Sequence, residues 1–193
     1  MNSKKLRRLI LVAVLGSIAT VLMKLNFPLP VLPPFLKIDF GEIPALIAVM
    51  TMGPIAGIGV EFIKNLLYWI LSGSPTGVPV GEIANFTTGL LFILPVYYIF
   101  NRVKTKKGLL AGLFTGTMLM AIGMSVLNYL VFLPMYTYFL GMDALIGPEL
   151  YAFIVKGILP FNLLKGLILT LIMYSLYRMI QPWILRQQHE LSL

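Results

Sequence analysis

The chain alternates long apolar stretches with short clusters of charge, glycine and proline. A helix crossing a bilayer needs about 20 predominantly apolar residues. On that ruler the pattern predicts six membrane helices, over residues 6–25, 42–52, 55–71, 82–101, 108–133 and 154–178. Residues 26–40 are apolar but carry four prolines, too many for a helix to propagate, so they read as an ordered loop or a re-entrant piece. The apolar run 43–68 is too long for one span and short for two, and Gly53-Pro54 divides it into two short helices. Residues 72–81 are turn chemistry throughout, and 102–107 form a charged connector. A loop with Pro134, Gly141, Asp143, Gly147 and Pro148 leads to the last span, and a polar tail follows 178.

Composition agrees with this pattern. Of 193 residues, 59% are hydrophobic and 11% charged, and the mean hydropathy is +0.91, which places the chain among all-α integral membrane proteins. Residues 1–193 read as one six-helix membrane domain. No cysteine is present, which excludes disulfides, thiolate metal sites and a cysteine nucleophile. The net charge of +8 comes from lysines and arginines gathered at helix ends, not from a basic groove interleaved with aromatics. Membrane topology therefore explains it, and nucleic acid does not.

With six spans threaded, Lys4, Lys5, Arg7, Arg8, Arg102, Lys104, Lys106, Lys107, Arg178 and Arg186 fall on one side, and Lys24 and Lys37 on the other. The positive-inside rule puts both termini in the cytoplasm. Lys4-Lys5-Leu6-Arg7-Arg8 before an apolar run has the charge order of a signal peptide. Without a small-x-small cleavage site, it reads as an uncleaved first span.

Four charges remain inside spans: Glu61, Lys64, Lys156 and Lys165. Such residues face a cavity or a partner rather than lipid. Lys64, Asn85, Asn128 and Lys165, from four helices, all fall in the outer half of the bundle, with Asp39, Glu42 and Glu82 at outer helix starts. The inner half has almost no such groups, so the pattern predicts a cavity open to the outside. Glu61 and Lys64, three residues apart, either pair with each other or face that cavity. Lys165 has no carboxylate near it in sequence and is the better ligand candidate. Lys156 snorkels to the outer interface. Asn85 and Asn128 are either ligand partners or glue between helices.

Small residues recur at fourfold spacing in two places. Gly108, Gly112 and Gly116 predict close helix packing within the bundle. Ala13 with Ser17, and Gly16 with Thr20, serve either packing or contact with another subunit. The chain has no phosphate-binding loop, no H-E-x-x-H, no G-x-S-x-G and no paired histidines, so no nucleotide, metal or cofactor is implied.

The segments Phe27-Pro-Leu-Pro, Leu32-Pro-Pro-Phe-Leu-Lys-Ile-Asp-Phe40, Ile43-Pro-Ala-Leu-Ile-Ala48, Gly53-Pro-Ile-Ala-Gly57 and Glu61-Phe-Ile-Lys-Asn-Leu-Leu67 carry a family resemblance. Gly81-Glu-Ile-Ala-Asn-Phe86 and Asn162-Leu-Leu-Lys-Gly166 extend it through most of the chain. The chain resembles the riboflavin-specific substrate-binding (S) component of bacterial energy-coupling factor transporters. The resemblance implies a multi-pass protein of the bacterial cell membrane. It would capture riboflavin from outside and pass it inward with a transmembrane coupling subunit and two cytoplasmic ATPases. It also implies that Lys165 and Asn128 meet the polar edge of the flavin, and that Glu42, Lys64, Asn85, Gly81 and Asn162 line the pocket. Ala13 and Ser17, with Gly16 and Thr20, would meet the coupling subunit, Ser17 departing from the usual alanine pair.

Three other readings stand beside it. One is an S component for FMN or another vitamin. Another is an intramembrane enzyme using Glu61 and Lys64, against which the shortage of paired carboxylates counts. The last is a structural subunit built on its small-residue stripes, which leaves the outer polar cluster unexplained.

Overall fold

The computed structural model describes residues 3–30, 32 and 35–191, with backbone alone at His189 and Leu191. Val31, Pro33 and Pro34 of the proline-rich loop lie outside the described residues. The helices are α1 (Ser3–Lys24), α2 (Glu42–Met52), α3 (Pro54–Ser72), α4 (Val80–Val103), α5 (Lys106–Leu127), α6 (Leu133–Leu140), α7 (Gly147–Phe153) and α8 (Leu159–Leu191). A π turn at Asn128–Phe132 fuses α5 to α6, and another at Ile154–Ile158 fuses α7 to α8, so the chain forms six helical rods. Five rods are long and apolar enough to cross a membrane, and α2 is a shorter apolar helix.

α2 is the hub. Its 11 residues rise only about 16 Å, half a bilayer. Every one of them except Ile47 is buried, because α1, α3, α4 and α8 all pack around it. Gly53 (φ +88°), in a region L side chains rarely adopt, makes the sharp joint, and Pro54 opens α3 where its missing N–H costs nothing. The two short helices predicted on either side of Gly53-Pro54 are thus present with nearly the expected bounds.

Packing along α5 follows its glycines. A β-carbon at Gly112 or Gly116 would collide with the main chain of α4 at Val96 or Phe92, so the stripe lets the two helices touch backbone to backbone. Gly16 of α1 likewise admits Ile63 of α3.

Three expectations are corrected. Pro134 does not end the fifth span. The wide turn sends the Leu133 N–H to the Asn128 carbonyl, and the helix continues through the proline to Leu140. The last rod begins at Gly147 rather than 154, and a second π turn precedes Pro160 in the same way. The segment after 178 is helix to Leu191, not a loose tail. It is anchored where Gln188 donates to the Met50 carbonyl (2.6 Å) and Arg7 pairs with Glu190 (2.6 Å). The Gln188 contact, together with Arg8 donating to the Met52 carbonyl, caps the last carbonyls of α2, which have no partner within the helix.

The loop between α1 and α2 folds over the opposite end of the bundle. Phe27–Pro28 (β1) and Lys37–Ile38 (β2) pair antiparallel, with Phe27 opposite Ile38. Leu36 and Ile38 then pack into a small apolar cluster with Leu133, Ile154, Ile158 and Phe161, beside the two π turns.

Candidate functional site

At the N-terminus of α2 five charged side chains from four segments meet away from solvent: Asp39, Glu42, Glu61, Lys64 and Lys165, none more than 2% exposed. Lys165 Nζ lies 2.9 Å from Asp39 Oδ2 and 2.9 Å from Glu42 Oε1. Lys64 Nζ lies 2.7 Å from Glu61 Oε2 and 3.3 Å from Glu42 Oε1. Glu42 Oε1 therefore bridges both lysines and ties α8 to α3 through α2. Gly41 N–H (2.9 Å) and Asn85 Nδ2 (3.4 Å) also reach the Asp39 carboxylate. Burial alone would push the Asp39 carboxyl up, but the Lys165 and Lys64 charges and the hydrogen bonds from Lys165 and the Gly41 N–H outweigh it and hold the group below its usual range.

Space for this network is built into the backbone. A β-carbon at Gly89 of α4 would overlap the Glu61 carboxylate, and one at Gly41 would overlap the Lys64 stem. Hydrogen bonds inside such a low-dielectric site are strong, and an unpaired member would be costly.

Above the network a cleft opens at the end of the bundle opposite the termini. Its lower chamber is lined by Phe35, Gly81, Asn85, Asn128, Asn162 and Lys165, among others. Asn128 sits on the π turn and spends one amide N–H on the Met124 carbonyl (2.8 Å), and Asn162 does the same with Ile158 (2.9 Å). Each retains its carboxamide oxygen and a second N–H for a ligand. A roomier upper chamber shares Phe35, Lys37, Gly81, Asn85 and Tyr136 with the lower one and continues to the 72–75 loop. Phe35 of the loop over the cleft stacks on Tyr136 with ring centroids 5.2 Å apart.

Of the residues expected to bind substrate, Lys165, Asn128, Asn85, Gly81 and Asn162 come together on the lower chamber wall. Glu42 and Lys64 do not. They lie behind the wall at 0% exposure, one layer beneath Lys165. Glu61 and Lys64 pair with each other and are fully buried, and neither lines the cleft. Lys165 is no lone cation either, since its carboxylates arrive from residues more than 120 positions away in sequence. Lys156 is exposed near the loop end of the last rod, as snorkelling requires. On α1, Ala13 and Ser17 face outward, whereas Gly16 and Thr20 are buried within the fold and unavailable to another subunit.

The sequence reading missed Asp39, Glu82 and Tyr136. Asp39 and Glu82 read in the sequence only as outer helix starts with no assigned role, and the fold buries them to 2% and 7% exposure. A charge balance points to Asp39: Lys64 and Lys165 both lie inside spans, and Glu61 alone cannot neutralise two cations. No comparable signal marks Tyr136.

Residues 7–177 match the family described as "ECF transporter, substrate-specific component". The chain is 50% identical over 184 residues to a protein of Bacillus subtilis named riboflavin transporter FmnP, covering 95% of this chain and 97% of that one. It is 41% identical over 186 residues to a riboflavin transporter RibU of Staphylococcus aureus, covering 96% of each. A solved structure described as the S component of a bacterial ECF transporter superposes with a TM-score of 0.79 at 40% identity, over 93% of this chain and 98% of that one. These relatives are transport components, and the intramembrane-enzyme alternative falls with them. This chain belongs to the family of substrate-specific components of ECF transporters.

Proposed function

We propose that this chain binds riboflavin in the cleft above the charge network and serves as the capture subunit of an ATP-driven vitamin uptake transporter in the bacterial cell membrane. The observation that carries the reading is the lower chamber. There Lys165, Asn128 and Asn162 supply donors and acceptors at one end, while Phe35, Met124 and Phe161 supply apolar surface. The isoalloxazine ring asks for this combination, being flat and largely apolar with carbonyls and an N–H along one edge. The names of the relatives support the same ligand. FMN, the alternative within the class, shares the ring and differs only at the end of the tail.

The termini and the 102–107 connector on the same side carry ten of the fifteen lysines and arginines, so both termini lie in the cytoplasm and the cleft opens outward. The free energy for uptake comes from elsewhere, through a transmembrane coupling subunit and two ATPases. The outer face of α1 at Ala13 and Ser17 supports docking of the coupling subunit. The Ser17 hydroxyl turns back onto the Ala13 carbonyl (2.9 Å), so the serine presents a surface nearly as smooth as alanine.

The experiment is direct. Protein purified in detergent should carry a flavin absorbance band or, once stripped, quench riboflavin fluorescence at nanomolar concentrations. A folded protein that leaves riboflavin fluorescence unchanged at micromolar concentrations refutes the assignment.

A further inference from the structure

The lower chamber accounts for a ring and leaves the upper chamber without a role. Its wall is rich in small polar groups, including Asn26, Tyr68, Ser72 and Ser74. It also holds Glu82, which differs from the other buried carboxylates. Asp39, Glu42 and Glu61 each lie against a lysine, whereas Glu82 is in no ion pair among the described residues. Its Oε2 is buried without a hydrogen-bond partner, as are Glu42 Oε2 and Glu61 Oε1, but of these three carboxylates Glu82 is the one that lines a chamber. Ser74 and Tyr136 are its neighbours.

A bland account exists, because an acidic residue in the first turn of α4 complements the helix dipole. That account is met equally well by an exposed carboxylate. It does not explain why the group is buried beside a chamber with an oxygen left over, an arrangement that is costly unless something fills it.

We propose that the upper chamber receives the polyhydroxy tail of the substrate, and that Glu82 selects an uncharged tail over one ending in phosphate. The proposal rests on the riboflavin reading above. A hydroxyl can donate to Oε2 and satisfy it. A phosphate ester at neutral pH has little or no proton to donate and brings like charge toward a carboxylate shielded from solvent, where salt screens poorly. Lys37 is the single cation on the chamber wall, and it is exposed, so solvent and salt screen its attraction. The other acid on the wall, Asp39, is already neutralised by Lys165.

The test compares riboflavin with FMN on the full chain in detergent, by flavin fluorescence quenching, for wild type and Glu82→Gln. Wild type should prefer riboflavin, and the variant should reduce the ratio of FMN to riboflavin Kd by about tenfold or more, the effect of removing one poorly screened like charge. The ratio is the readout, whatever the variant does to riboflavin alone. Ser74→Lys, which sets a cation beside Glu82 from a loop, should move the ratio the same way and covers the case in which Glu82→Gln fails to fold. A wild type that binds both flavins equally, or a ratio unmoved by the variants, overturns the proposal and leaves the riboflavin reading intact. A folded wild type that binds neither flavin defeats that reading instead.

Discussion

Lys165→Met is the most informative single change, because it removes the cation that two buried carboxylates share. In the native network three carboxylates face two ammonium groups, and in the variant three face one. Asp39 keeps only the Gly41 N–H and a long contact from Asn85, and Glu42 keeps only Lys64 at 3.3 Å. Breaking a buried pair from one side costs about 3–5 kcal/mol, most of it the penalty of an uncompensated buried charge. For a chain of this length that is roughly 6–20 °C in Tm, at about 2–4 °C per kcal/mol. Thermal unfolding of the ligand-free protein in one detergent, followed by circular dichroism, reads the shift. Asp39→Asn added to Lys165→Met restores the original charge balance, and the double variant should recover about 0.5–3 kcal/mol of what the single changes sum to. A Lys165→Met protein that melts within 2 °C of wild type, or a double variant no better than the sum of its parts, would falsify the network as drawn; that 2 °C limit is roughly 1 kcal/mol or less.

Other expectations follow from the same contacts. Gly89→Ala should destabilise by about 1–3 kcal/mol by driving a methyl into the Glu61 carboxylate, whereas Gly157→Ala, with nothing within 4 Å, should stay within about 0.5 kcal/mol. Equal melting temperatures for the two would contradict the packing. Asn128→Ala and Asn162→Ala should each weaken riboflavin binding by about 1–3 kcal/mol, seen as a five- to 150-fold rise in Kd by fluorescence quenching, from the loss of one polar partner. Unchanged affinity would place the flavin edge elsewhere. Ala13→Trp, on the outward face of α1, should abolish riboflavin uptake by the assembled transporter while the isolated chain still quenches riboflavin fluorescence. Uptake at the wild-type rate would remove that face from the coupling contact.

The sequence by itself determined what depends on neighbours along the chain. Hydropathy marked the spans, Gly53-Pro54 split α2 from α3, and the glycine stripe on α5 announced close packing, because helix formation and span length are local properties. Even there, local rules misjudged Pro134, since a π turn keeps neighbouring N–H groups bonded and carries the helix past a residue that ordinarily ends one. The tertiary structure decided everything that rests on pairing across the bundle. Lys165 looked free in sequence and is held by Asp39 and Glu42, 126 and 123 residues away. Glu42 and Lys64 looked like pocket lining and lie behind it. Glu82 read only as an outer helix start and is the buried carboxylate without an ion pair among the described residues. A charge buried in low dielectric must find its partner wherever the fold supplies one, and sequence separation has no bearing on that distance.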